Sequence, residues 1–442
     1  MAKNRINQKL TVELNSPLPD SFDNKEVRDI MSEAGIIPYF GYNDHSSHVV
    51  LQHFADLYQW SPTNRACINA IRDYAFRGNI RLKKSTVGGF DLGAENVYAT
   101  ASEVQGVIDT FTKLGISADE ISELTRQLYI NLAVFGNLYL RLTIKTIAGV
   151  SRVYLESIPA QNAAYQLDKD ANGNLVDMPE RKIVVSESFE KQYLAKFPPK
   201  TYHIFPYWSE LDRGEYSTVF HIKNQTDKSP YYGRPDSISS YLWQYLEYYI
   251  ADKAVTISRQ DFVALYLLFS EAPLQSNDET DEDFMAMTAN LKSLTTMSNS
   301  GKASTLANLR YSNGTQQPNL EKLDIKVDTE DFKIKLEKAA SKIIQSHGWF
   351  AELLGEQIAR NGIGKDSALL TTYTVADGAK ITPLQEDFSN IWHKVFTVID
   401  EQLGTNISEF TIEFPQNITK LAAKLKDLNT VQTTVTDGNA TN

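Results

Sequence analysis

The chain has 442 residues, 42% of them hydrophobic and 22% charged, and its 44 Lys and Arg against 55 Asp and Glu leave a net charge of −11. This is the composition of a folding chain, long enough for about two to four structural units at roughly 150 residues each. The acidic balance excludes a small protein that coats nucleic acid electrostatically, since such proteins carry excess Lys and Arg, but not one that surrounds a duplex without gripping it. The single Cys67 excludes an internal disulfide framework and a Cys-based zinc site.

Residues 1–50 carry Pro17, Pro19 and Pro38 with little periodicity and read as an extended arm with short helical pieces. No apolar run follows the first charged residues, so no signal peptide is expected. Ser61-Pro62 resembles a helix cap followed by proline at the first helical position, and Cys67, Ala70, Ile71 and Tyr74 then form an apolar face. A second helix is expected over 118–135, with Ile121, Leu124, Leu128 and Leu132 on one side and Gly136 as its terminal cap. Strand formers follow at 138–144, then at 152–158, 164–167, 182–186, 202–205 and 217–222, with a turn signal at Asn172-Gly173.

Pro235 is expected to open a long helix to about residue 260, with Ile238, Leu242, Tyr245 and Tyr249 as its amphipathic stripe. A strand over 262–269 follows. Val263 to Phe269 is the longest clean apolar run, far below the roughly 20 residues of a membrane-spanning helix, so no membrane segment is expected. Next come an acidic run (Asp278, Glu279, Asp281, Glu282, Asp283), a short helix to about 297 and a strand at 306–311. From 329 a helix carries Phe332, Leu336, Ala339 or Ala340, Ile343 and Ile344 as a stripe, with Lys333, Lys335, Lys338 and Lys342 beside and opposite it. It breaks at His347-Gly348. A short apolar piece from Trp349 and Phe350 to Leu354, a glycine linker at 361–364, a long helix over 367–403 broken near Pro383, a strand at 411–414 and a polar tail complete the chain.

Tests for catalytic motifs are negative. Gly364-Lys365 precedes Asp366 where a phosphate loop needs Ser or Thr, and no dinucleotide fingerprint, His-Glu-x-x-His or Gly-x-Ser-x-Gly occurs. No enzyme activity, cofactor or metal is expected. His45, His48 and His53 are spaced closely enough, with Asp44, to suggest a metal site, but without a firm helix signal they read as exposed or partner-facing, and His221, alternating with Phe220 and Ile222, as a structural strand histidine. The acidic run lacks the spacing of a calcium loop and reads as a solvated lead-in to a helix. The lysines from 333 to 342 form either a solvated face or a basic stripe meeting phosphates.

The stretch Thr218-Val-Phe-His-Ile-Lys223, then Ser229-Pro-Tyr-Tyr-Gly-Arg-Pro235, resembles a signature of tailed-bacteriophage portal proteins, with His221, Tyr232, Gly233 and Pro235 as the matching residues. Residues 64–71, Phe135-Gly-Asn-Leu-Tyr-Leu140 and 343–355 resemble further family segments in the same order, the last without the family's prolines. The resemblance implies an α+β, portal-like fold assembled as a ring of about twelve subunits around double-stranded DNA. It divides the chain into an N-terminal arm (1–60), a β-rich and helical wing (61–234), a first stem helix (235–260), an inserted small α/β clip (261–327), a second stem helix (328–346), a tunnel-proximal segment (347–365), and a spine helix with reduced helical crown (366–442). It further implies a virion location at one capsid vertex, with host cytoplasm during assembly. The implied partners are the major capsid protein, the terminase packaging motor and the head–tail adaptor. Lys335, Lys338, Lys342, Trp349 and Phe350 become candidates for the DNA channel, with Trp349 equally readable as a buried anchor. Asp278, Glu279, Asp281, Glu282 and Asp283 become candidates for partner docking. The alternatives are another head–tail virion protein and, on the acidic run, a metal-dependent nuclease.

Overall fold

The computed structural model describes residues 35–37, 49–78, 80–84, 100–169, 175–176, 180–187, 189, 196–212, 214–224, 231–259, 264–271, 306–311, 321–324, 329–354 and 365–415. The fold mixes helix and sheet, and the chain divides into two compact units, one of Met1–Ser240 with Ile343–Asn442, the other Tyr241–Lys342.

The first unit opens with a two-residue strand, β1 (Ile36–Ile37), and two helices, α1 (Val49–Trp60) and α2 (Pro62–Phe76). Ser61 caps α2 by accepting the Asn64 N–H, and Pro62 stands at the first turn, as the sequence implies. Helix α1 begins within the stretch expected to be an extended arm, and its Leu51, Phe54 and Leu57 are core residues. After β2 (Arg81–Lys84) comes α3 (Ala101–Leu114), absent from the sequence reading although Thr100-x-x-Glu103 closes a complete capping box. Helix α4 (Ala118–Phe135) follows, capped by Ser117 and ended by Gly136 in the left-handed region, φ +70°.

The strands β3 (Asn137–Ile147), β4 (Val150–Ile158), β5 (Ala163–Gln166), β6 (Asp168–Lys169), β7 (Leu175–Val176), β8 (Lys182–Val185), β9 (Lys200–His203), β10 (Ser209–Asp212) and β11 (Glu215–Lys223) come next. They build two antiparallel four-stranded sheets, β10-β11-β3-β4 and β1-β5-β8-β9, while β6 and β7 pair across the expected turn. Helix α4 packs on the first sheet, where Leu138, Leu140 and Leu142 of β3 are fully buried. On the other face, His221, stacked on Tyr139, meets Tyr165 of the second sheet.

Beyond residue 365 a continuous helical rod runs through α7 (Lys365–Ala376; α5, Tyr241–Arg259, and α6, Thr329–Ser346, precede it), a π-turn (Asp377–Ile381) and α8 (Thr382–Leu403). Pro383 supplies no N–H and its ring would press on the carbonyl one turn earlier. The π-turn widens the backbone just ahead of it, so the rod continues where the sequence suggests a break. Strand β15 (Phe410–Glu413; β12, Ala264–Glu271, β13, Leu306–Tyr311, and β14, Glu321–Asp324, precede it) then pairs with β2, and Phe76, Tyr129, Phe388 and Phe414 interlock where α2, α4, α8 and the segment after β15 converge.

The second unit holds α5 (Tyr241–Arg259), β12 (Ala264–Glu271), β13 (Leu306–Tyr311), β14 (Glu321–Asp324) and the first part of α6 (Thr329–Ser346). Its sheet is β13-β12-β14, with β12 parallel to β13 and antiparallel to β14. A parallel pair needs a crossover connection, which the 272–305 interval is long enough to provide. The strand–strand part of the inserted α/β unit thus follows the sequence, with β14 added. The short helix near 282–297 lies outside the described residues. Helix α5 starts six residues after Pro235, because Asp236–Ser240 first winds as a 3₁₀ turn.

Candidate functional site

The residues of the Tyr-Gly-x-Pro signature converge with the Gly136-Asn137 turn on one buried joint. Asn137 Nδ2 donates to the Phe135 carbonyl (2.8 Å) and the Gly233 carbonyl (3.0 Å). That orientation makes its Oδ1 an acceptor, which takes the Gly233 N–H at 2.8 Å and faces His221 Nε2 at 3.1 Å. The imidazole therefore carries its proton on Nε2, and its Nδ1 accepts from the Tyr165 hydroxyl at 2.7 Å. Tyr139 stacks on the ring with centroids 4.4 Å apart. Burial, with the nearby Lys223 and Arg181, pushes the His221 pKa down to about 3, so the ring is neutral. Tyr232 completes the joint: its hydroxyl donates to the Ile37 carbonyl (2.7 Å) and accepts the Tyr165 N–H (2.8 Å).

Two glycines let the backbones meet. A Cβ on Gly233 would lie 2.3 Å from the Gly136 carbonyl oxygen and 2.6 Å from that of Asn224; one on Gly136 would lie 2.2 Å from the Arg234 carbonyl carbon. Pro235 is buried just beyond. These residues form a structural joint and expose no reactive group.

The two chain crossings between the units are anchored within the first unit. Ser346 Oγ donates to Ser240 Oγ at 2.7 Å, and Lys380 pairs with Asp236 at 2.8 Å. Helix α6 ends with Gly348 at φ +60°, the Gly348 N–H bonding the Gln345 carbonyl and the Trp349 N–H that of Ile344, a paired Schellman closure. His347 sits buried at this end, its Nε2 2.7 Å from Asn64 Oδ1; burial, then Lys380, lowers its pKa to about 4. Ala339, Ile343 and Ile344 are buried as the stripe implies, and Lys333, Lys335, Lys338 and Lys342 are all exposed.

Trp349 is 5% exposed and packs against Tyr74 with ring centroids 5.6 Å apart. Of its two readings the structure selects the core anchor, and Trp349 is withdrawn as a channel contact: a side chain so enclosed has no surface to offer a duplex. Phe350 is half-buried. Tyr373 lies 5.3 Å from Tyr74, and the Trp349 Nε1, the Tyr373 hydroxyl and Asp377 Oδ1 are buried with no hydrogen-bond partner among the described residues. On α5 the expected stripe is not the buried face. Leu242 and Tyr249 are exposed, whereas Gln244, Glu247 and Ile250 are buried. Asp278, Glu279, Asp281, Glu282 and Asp283 lie outside the described residues. Among the described residues no group of three or more His, Cys, Asp or Glu side chains could hold a metal, and no helix is long and apolar enough to cross a membrane.

No family model and no curated protein matches the chain. Among solved structures it is similar to phage portal and particle-neck chains. It is 12% identical to a chain from the neck of an empty GTA (gene transfer agent) particle computed with C6 symmetry, over 93% of this chain and 94% of that one, with a TM-score of 0.49. It is 11% identical to a chain from the neck of the native particle computed with C12 symmetry, over 92% and 94%, with a TM-score of 0.47. It is 12% identical to an HK97-family phage portal protein from Corynebacterium diphtheriae, over 84% and 97%, with a TM-score of 0.36.

Proposed function

We propose that this chain is the portal subunit of a tailed phage or phage-like particle. It forms a ring at one capsid vertex through which double-stranded DNA passes during packaging and ejection. The observation that carries the reading is the buried joint. The residues that resemble the portal signature, dispersed from Gly136-Asn137 through His221 to Tyr232-Gly233, are the ones whose atoms hold each other in place. The resemblance therefore has a physical basis, since a chain lacking those glycines could not close that corner. Two further features support it. Within the Tyr241–Lys342 unit the three-stranded sheet lies in sequence between an outgoing helix, α5, and a returning one, α6, as a clip between stem helices would. The net charge of −11 suits a wall along which phosphates slide, because every phosphate neutralised by a lysine adds affinity and salt-dependent drag.

In this reading residues 235–260 and 328–346 are the stem and 261–327 the clip. Residues 347–365 are tunnel-proximal, and 366–442 form the spine and reduced crown. The exposed Lys335, Lys338 and Lys342 edge of α6 meets DNA in passing, with Phe350 nearby in sequence. The clip, with Asp278, Glu279, Asp281, Glu282 and Asp283, docks the packaging motor and then the tail adaptor. The capsid protein surrounds the ring, ATP hydrolysis belongs to the motor, and the chain itself is not a catalyst. The test is electron microscopy of the purified full chain. Closed rings with a central hole wide enough for a duplex are expected. A uniform monomer at micromolar concentration overturns the proposal.

A further inference from the structure

The first unit's β10-β11-β3-β4 sheet ends in two hairpin turns at the same end, tied by the Thr146 N–H to the Gly214 carbonyl at 2.9 Å. The β3–β4 turn is Ala148-Gly149, with φ of +51° and +80°. Around this end the sheet shows apolar side chains to water. Ile147 is 63% exposed, Val150 60%, Tyr154 52%, Tyr216 46% and Leu211 39%. The register places Ile147, Val150 and Tyr154 on one face and Tyr216 on the other, so this end exposes apolar side chains on both faces, the mark of a contact surface.

The two edges of that end differ in sign. Along the β4 edge Arg152 is exposed and makes no ion pair among the described residues. Along the β10 edge Glu210 and Asp212 are exposed; Arg213, next in sequence, lies outside the described residues. Lys145 and Glu215, on the strands between, neutralise each other at 2.8 Å. Charge on a sheet edge is the usual protection against pairing. Protection alone accounts neither for opposite signs on the two edges nor for the apolar side chains between them.

We infer that the β4 edge of one copy, Arg152 with Val150 and Tyr154, seats against the β10 edge of the next copy, Glu210 and Asp212 with Leu211. The contact is heterologous: each copy offers two different edges, so the arrangement propagates from copy to copy, and in the ring reading it closes on itself. The inference rests on the ring reading above and names the surfaces through which the wings of such a ring touch.

The test uses the full chain, whose only native cysteine, Cys67, is buried. Arg152→Cys and Glu210→Cys are made singly and together and oxidised under conditions that favour disulfides. Three strand spacings separate the two positions within one copy, about 14 Å, too far for an internal bridge. The double variant is expected to give a ladder of covalent multimers on a non-reducing gel, and each single variant only the monomer band. A covalent dimer from either single variant would show the edge meeting itself and overturn the heterologous contact. A double variant that does not cross-link while remaining a ring by native mass measurement overturns this contact and leaves the ring reading intact; a wild-type monomer overturns both. As a second measurement, Arg152→Glu should raise the concentration for half-assembly roughly ten-fold, and adding Glu210→Arg in the same chain should bring it back. Failure of the second change to restore assembly of a folded chain also counts against the contact.

Discussion

The two buried polar regions of the first unit are built on opposite terms. In the His221 joint the polar groups of Asn137, His221 and Tyr232 are matched, and each match fixes the next, from the Asn137 amide to the imidazole tautomer to the Tyr165 hydroxyl. Around Tyr74, beside the π-turn, the Trp349 Nε1, the Tyr373 hydroxyl and Asp377 Oδ1 lack partners among the described residues. A satisfied network in a low-dielectric interior resists change because each loss strands another group, whereas unmatched groups gain nothing from holding their geometry. The joint therefore fixes how β1, β3, β5, β11 and the Tyr232-Gly233 turn meet, and the aromatic junction is held by ring packing.

That contrast can be broken most sharply at Gly233. Gly233→Ala puts a methyl 2.3 Å from the Gly136 carbonyl oxygen, and neither backbone can retreat without losing the Asn137 bonds. Destabilisation on the order of 4 kcal/mol, or failure to fold, is expected by urea titration. A change below about 1 kcal/mol would mean that the joint is not tight.

Acid should act next. His221 and His347 have folded pKa values of about 3 and about 4 against an ordinary 6.5. Both are depressed bases, so the unfolded chain binds their protons first. Their contribution is complete above about pH 6.5 and is lost as pH falls toward 4 and then 3, with each titrating histidine contributing a slope of up to about 1.4 kcal/mol per pH unit. Urea midpoints between pH 7.5 and 4 should fall accordingly, and His347→Gln, which keeps a donor toward Asn64, should flatten part of the slope. A profile unchanged by that substitution would contradict the assignment for His347.

The smallest effects should come from the junction, and with different sign. Burial raises the Asp377 pKa, so whatever stability its protonated form lends below its ordinary range is lost as pH rises, and at neutral pH the carboxylate is a burden. Asp377→Asn should be neutral or stabilising by less than about 1 kcal/mol, and Tyr373→Phe, which removes an unmatched hydroxyl and keeps the packed ring, should stay within about 1 kcal/mol. Tyr232→Phe, the matching deletion in the joint, should cost about 1–3 kcal/mol because the Tyr165 N–H and the Ile37 carbonyl both lose their partner. Equal costs at Tyr373 and Tyr232 would erase the distinction between the two regions.

The amino-acid sequence by itself determined the elements whose cause is local. Ser61-Pro62, Ser117 and Gly136 delimit α2 and α4 through caps, the three- and four-residue spacing of Leu336, Ala339 and Ile343 marks α6 as a helix with an apolar stripe, and β3, β4 and β11 follow from runs of strand formers. Helix α3 was equally legible, through the Thr100–Glu103 capping box. Only the tertiary structure decided what depends on a distant partner. Strand β1 is two residues long and exists because β5 pairs with it; β2 exists because β15, more than 300 residues away, lies beside it. Trp349 is buried because Tyr74 covers it. Periodicity identifies two opposite faces of a helix but not which one the rest of the chain covers, so α5 buries Gln244 and Glu247 and leaves Leu242 and Tyr249 exposed. The motif residues His221, Tyr232 and Gly233 could be named from sequence, but their role could not, because hydrogen bonds spanning 84 and 96 residues are set by the meeting of strands and turns and leave no local pattern.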